Sequence, residues 1–221
     1  AAPAPADVPA LIPAQQTAAP KCTNPNALGV SRTVEIDTAG GPGFGFEHFK
    51  QHDFLRNNEV LLTFDDGPHK DYTRRILDQL DAHCTKATFF MVGQRVLTYP
   101  DLVREVISRG HSAGTHTWSH QNLAKIESGA ALNEVEMAIS GLQKIAGANA
   151  APFFRFPYLS DPEEMTAHLK SRNTAIFSID VDSHDFRTRS PTKMMSNVTK
   201  GLAAKHKGII LFHDIQPSTV G

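Results

Sequence analysis

Two adjacent carboxylates, Asp65 and Asp66, end the apolar run Val60-Leu61-Leu62-Thr63-Phe64 and are followed at once by Gly67-Pro68. A strand that delivers paired carboxylates into a tight turn lets one hold a cation while its neighbour takes a proton. Asp-Asp-Gly-Pro is equally good turn chemistry, so the tetrapeptide alone decides nothing. Further along stands His116-Thr117-Trp118-Ser119-His120, with imidazoles at i and i+4. That spacing predicts two rings on one face of a helical turn, able to share one ion. With Asp66 they make three protein ligands, the number that leaves a fourth position open at a catalytic zinc site. A helical zinc-protease pattern would put Glu directly after the first His. Thr117 stands there instead, and the candidate base becomes Asp65.

Three more segments carry reactive groups at the ends of apolar runs: Arg155-Phe156-Pro157-Tyr158, Asp180-Val181-Asp182-Ser183-His184-Asp185-Phe186, and Gly208-Ile209-Ile210-Leu211-Phe212-His213-Asp214. Taken singly they read as a turn arginine, a solvated acidic loop and a strand-terminal histidine. Taken in order, the blocks TFDDGP, HTWSH, RFPY, DSHDF and LFH resemble the polysaccharide deacetylases of carbohydrate esterase family 4, whose homology domain is shared with the nodulation chitooligosaccharide deacetylases. The resemblance runs from about Glu59 to Asp214.

It implies roles residue by residue. Asp66, His116 and His120 correspond to metal ligands and Asp65 to the general base. Thr117 corresponds to a brace that bonds the second histidine, and Arg155 to the arginine that holds the base. The Tyr158 backbone N–H matches an oxyanion donor. His213 matches the general acid and Asp185 the carboxylate that orients it, while Leu211, Pro157 and Phe186 line the acetyl pocket. The family usually has Trp at the position of Phe186, a change that keeps an aromatic wall and alters the pocket's size. The implied activity is metal-dependent removal of N-acetyl groups from an N-acetylglucosamine-containing glycan of the chitin, chitooligosaccharide or peptidoglycan type. Zinc suits the Asp-His-His set, and cobalt or nickel would also bind it. The alternatives are O-deacetylation of acetylated xylan, hydrolysis of a small non-sugar amide, and a catalytically inactive glycan-binding barrel.

The elements that must position these groups follow from the rest of the chain. Its 221 residues are 40% hydrophobic and 20% charged, enough for one domain with a sizeable core. A net charge of -1 carries no nucleic-acid footprint, and no apolar run approaches the roughly 20 residues needed to cross a membrane. From Glu59 onward, strand-like runs (60–64, 87–92, 153–156, 209–212) alternate with helical stretches (72–83, 101–109, 130–146, 162–170, 191–206). Pro100, Pro162 and Pro191 stand where helices begin. This rhythm predicts an α/β fold, a parallel sheet covered by helices, with the motifs at the C-terminal ends of the strands. The resemblance sharpens it to a distorted (β/α) barrel with fewer than eight regular units.

Three regions are expected: an Ala/Pro-rich tail over 1–20, an arm over 21–58 packed on the barrel, and a catalytic domain over 59–221. In the arm, the alternation of Arg32-Thr33-Val34-Glu35-Ile36-Asp37 predicts a short strand. The glycine-rich 40–46 segment lacks a Gly-Lys-Ser/Thr ending and is expected to be an irregular loop. Cys22 and Cys84 are the only cysteines. They are read as a disulfide that pins the arm, the alternative being two buried thiols. With the Ala-Ala-Pro-Ala start, this points to a secreted or periplasmic protein. Ile215 to Gly221 is expected to be too short for a closing helix. Trp118 and Tyr158 offer ring faces to a sugar, and the alternative for Trp118 is packing beneath the metal loop.

Overall fold

The computed structural model describes residues 22–220. Eight strands form one all-parallel sheet: β1 (Gly43–Phe44), β2 (Val60–Asp65), β3 (Ala87–Met91), β4 (Ser112–Thr115), β5 (Ala150–Phe154), β6 (Ala175–Phe177), β7 (Val181–Asp182) and β8 (Gly208–His213). Their order is β1-β6-β5-β4-β3-β2-β8-β7. The α-helices among the described residues are α1 (Thr73–Ala82), α2 (Gly93–Thr98), α3 (Pro100–Ser108), α4 (Ser128–Ala146), α5 (Glu163–Ser171), α6 (Pro191–Lys205) and α7 (Pro217–Val220). The sheet curls into the expected distorted barrel because β6 and β7 are successive pieces of one stretch. β6 pairs with β5 and β7 with β8, so Ser178-Ile179-Asp180 carries the chain from one side of the sheet to its other edge.

A buried carboxylate pins that seam. Asp180 accepts hydrogen bonds from the backbone N–H of Phe46 and of Ile209, each at 2.7 Å, and its own N–H donates to the Ile209 carbonyl at 2.8 Å.

Period-two alternation sorts the strand side chains. Phe64, Phe89, Met91, Ile210 and Phe212 face outward, under Ile76, Leu77 and Leu80 of α1, Val103 and Val106 of α3, and Met194 and Val198 of α6. Each such side chain taken out of water contributes about 1.5–3 kcal/mol. Facing the other way, Phe90, Phe177 and Ile209 fill the barrel interior with Phe44. Inward-facing positions at the C-terminal ends of the strands are thereby left to polar residues, and the helices hold those ends in register.

Several sequence expectations change. Residues 32–37 form no strand; they keep alternating exposure and are tied down by the Arg32–Glu59 ion pair at 2.7 Å rather than by ladder hydrogen bonds. The glycine-rich segment contributes an edge strand rather than an irregular loop, since Gly43 and Phe44 pair with Ile176 and Phe177. Glycine is needed there: a Cβ on Gly43 would lie 2.4 Å from the Phe49 ring. Residues 217–220 do form a closing helix, of one turn. The Cys22–Cys84 disulfide is present and spans 62 positions. The expected tail over 1–20 lies outside the described residues.

Candidate active site

Asp65 and Asp66 leave β2 in different directions. Asp65 keeps the inward orientation set by the strand and is 3% exposed. Asp66 has φ 75°, in the left-handed region that bulky side chains avoid and Asp tolerates, so the chain turns and presents the second carboxylate to the rim.

Arg155, wholly buried, binds Asp65. Its Nη1 donates to Asp65 Oδ1 and to Thr63 Oγ1, each at 2.7 Å. Its Nε and Nη2 donate to the carbonyls of Phe177 and Ser178, and its guanidinium lies 4.3 Å above the Phe90 ring. Burial lowers the proton affinity of Arg155 against the opposing pull of Asp65. Such a buried guanidinium, held through Nε and both Nη atoms, fixes the Asp65 carboxylate in place.

His116 and His120 do not share a helical turn. Residues 116–120 form a loop after β4, with Thr117 at φ 61° and His120 at φ 64°. Those two left-handed residues fold the loop back on itself and bring the rings to 5.0 Å by a different route. The Thr117 hydroxyl accepts from the His120 N–H at 3.1 Å, and Ser119 donates to Glu134 of α4 through both its N–H and its hydroxyl.

The three candidate ligand atoms lie within 4.8 Å of one another. His120 Nε2 is 3.1 Å and His116 Nε2 3.5 Å from Asp66 Oδ1. Ligand bonds of about 2.1 Å in a tetrahedron would separate such atoms by about 3.4 Å. Asp66 Oδ1 is buried without a hydrogen-bond partner in the protein. His116 Nδ1 donates to the Arg155 carbonyl at 2.7 Å, which leaves its Nε2 lone pair free. The donor set therefore fits a divalent cation. Burial, the largest influence on Asp66, pushes its carboxyl up, but His120, His116 and His213 together hold it well below the usual carboxylate range. Burial lowers His116, so its imidazole stays neutral, as a ligand must.

His213 ends β8 in register with Asp65. Its Nδ1 donates to Asp185 Oδ1 at 2.7 Å, and its backbone N–H donates to Asp185 Oδ2 at 2.6 Å. Burial lowers the His213 proton affinity, but the bond and charge of Asp185, with the charges of Asp65 and Asp66, raise it to about 9. Phe186 stands edge-on 5.4 Å from the His213 ring and is 45% exposed. Leu211 and Pro157 are buried. Tyr158, at φ 59°, is 67% exposed with its ring 4.9 Å from His120. Trp118 packs over α2 and α4, where a Cβ on Gly93 would lie 2.6 Å from the indole. That is the packing alternative, and Tyr158 keeps an open ring face.

Several residues around the site were not singled out from the sequence. Thr63 was legible, since period two puts it on the face of Asp65. Glu134, Asp214 and Thr219 gave no local signal, because their contacts are made across 15, 141 and 34 positions.

Fold and site together define an α/β barrel with a candidate metal centre at the C-terminal rim of its strands. The chain belongs to the polysaccharide deacetylase family, whose model matches residues 55–176. A peptidoglycan-N-acetylglucosamine deacetylase of Bacillus cereus is 37% identical over 140 residues, covering 63% of this chain and 50% of that protein. A chitooligosaccharide deacetylase of a Bradyrhizobium species is 31% identical over 166 residues, covering 75% of this chain and 74% of that one. Among solved structures, a peptidoglycan deacetylase of Bdellovibrio bacteriovorus superposes with a TM-score of 0.75 at 32% identity, covering 85% of this chain and 51% of that one. The chain thus spans about half the length of two of these relatives.

Proposed function

We propose that this protein is a metal-dependent hydrolase that removes N-acetyl groups from an N-acetylglucosamine-containing glycan. The observation that carries this reading is the pairing of Asp65 with His213 beside the Asp66, His116 and His120 set.

Asp66, His116 and His120 would hold the cation. When bound, it supplies Lewis acidity toward the acetyl carbonyl and toward water. Asp65, kept in place by Arg155, accepts the proton of the attacking water. The Tyr158 N–H stabilises the negative charge that develops on the carbonyl oxygen. His213 then donates a proton to the departing nitrogen, which an amide needs because an amine anion is a very poor leaving group. Its Nδ1 is committed to Asp185, so the proton leaves from Nε2. Leu211, Pro157 and Phe186 enclose the acetyl methyl.

A sugar polymer as substrate is supported by the rim: the exposed rings of Tyr158 and Phe186 flank the site and offer stacking faces that a small amide would not use. The names of the relatives point to the same glycan class. Export is supported by the disulfide, and no helix among the described residues is long and apolar enough to cross a membrane.

The test is acetate release from N-acetylated chitooligosaccharides and peptidoglycan fragments by chelated protein, with and without added zinc. Release that zinc restores, and that Asp65→Asn lacks, upholds the reading. Release only from acetylated xylan would transfer the chemistry to an O-acetyl substrate.

A further inference from the structure

The carboxylate of Asp185 is wholly buried and accepts three hydrogen bonds. Two come from His213 itself. The third comes from Thr219 of α7, whose hydroxyl donates to Oδ2 at 2.6 Å. Without that donor, the Asp185 carboxylate would be held by His213 alone, through its ring and its backbone N–H.

Thr219 is anchored from both sides. Ser218 on one side is 2% exposed and donates to the Asp185 carbonyl at 2.9 Å, while Val220 on the other packs against the main apolar core. The hydroxyl is therefore presented by an anchored turn. A charge-assisted hydrogen bond of this kind is about twice as strong as a neutral one, and its loss inside a protein leaves a carboxylate oxygen short of a partner.

We infer that Thr219 is a positioning residue for the general acid, fixing Asp185 from behind so that Asp185 can aim the His213 proton. This rests on the reading of His213 as the acid that protonates the leaving nitrogen. The substrate class follows from the chemistry: only a leaving group that needs a proton should feel Thr219. An N-acetyl glycan is such a substrate. The aryl ester para-nitrophenyl acetate is not, because its phenolate departs unprotonated at neutral pH.

The experiment compares turnover of an N-acetylated chitooligosaccharide with that of para-nitrophenyl acetate in the zinc-loaded full chain, for wild type, Thr219→Val, Thr219→Ser, Ser218→Ala and His213→Ala. Thr219→Val keeps the shape and removes the hydroxyl, and its amide-to-ester ratio is expected to fall about tenfold, about 1.4 kcal/mol of transition-state stabilisation. The fall should lie in kcat, with KM near wild type. Thr219→Ser should restore the ratio, and Ser218→Ala should leave it unmoved, since that bond reaches the backbone of Asp185 and not its carboxylate. A parallel fall in both turnovers would make Thr219 a purely structural residue and overturn the assignment. So would an unchanged ratio in Thr219→Val beside a lowered one in His213→Ala, with the acid role of His213 left standing. An unchanged ratio in His213→Ala would remove the acid role and this inference with it.

Discussion

Asp65 and His213 occupy paired positions on the adjacent parallel strands β2 and β8, each the last residue of its strand and each followed by an aspartate, Asp66 or Asp214. The proposed proton acceptor and proton donor are thus neighbours by strand register, with no loop between them. Their partners come from opposite sides of the barrel, Arg155 after β5 and Asp185 after β7. The two side chains therefore stay side by side while each answers to its own partner.

Replacing Asp65 by Asn should separate metal binding from turnover. The variant keeps Asp66, His116 and His120, so its metal content by elemental analysis should match wild type. Acetate release should fall by at least about 100-fold. Wild-type turnover in this variant would remove Asp65 from the mechanism.

The alkaline limb of the activity profile should report His213. In the metal-free protein its folded pKa is raised to about 9 from 6.5, so the protonated form persists through neutral pH and is lost as pH rises through about 9; a cation on Asp66 draws that value down. The stability linked to this group follows the same sign: fully present below 6.5 and lost through about 9. Asp185→Asn removes the largest raising influence, and should shift the limb of kcat/KM toward lower pH. A limb that stays put would break the link to this pair.

Glu134 should control metal affinity without touching the metal. It receives both Ser119 donors and so holds the loop between the two histidines. In Glu134→Ala, zinc affinity measured by competition with a chromophoric chelator should weaken by about tenfold. Equal affinity in the two proteins would show that the left-handed turns hold the loop unaided.

Asp214 should set a second pH dependence, in stability. Burial, above all, raises its carboxyl from 3.8 to about 7. The folded chain therefore binds this proton more tightly than the unfolded chain, and ionisation costs stability as pH rises from about 4 to about 7, on the order of a few kcal/mol. Asp214→Asn should flatten the melting temperature across that range. Gly67→Ala should destabilise at every pH, because its Cβ would lie 2.0 Å from the Asp214 carboxylate.

The motifs could be read from sequence because each is local: a strand end and the residues just after it. The helices were legible from apolar spacing and from Pro100 and Pro191 at their first turns. β4 was not, since Ser112-Ala113-Gly114-Thr115 offers a single hydrophobic side chain and is a strand only because β3 and β5 flank it. The helical reading of His116 and His120 failed for a related reason: i and i+4 spacing records separation along the chain, and the left-handed angles at Thr117 and His120 leave no trace in residue type. The same limit hid Thr219, whose partner lies 34 positions away.

The disulfide gives the molecule a direction. Cys84 follows α1 in the connection that returns to the N-terminal end of β3, the opposite pole of the barrel from Asp65 and His213. Arm residues reinforce the attachment, Asn24 donating to the Ala82 carbonyl at 2.9 Å and Gly29 to that of His83 at 3.0 Å. The covalent clamp on the arm therefore sits at the pole away from Asp65 and His213, so its loss would reach the rim only through the length of the strands.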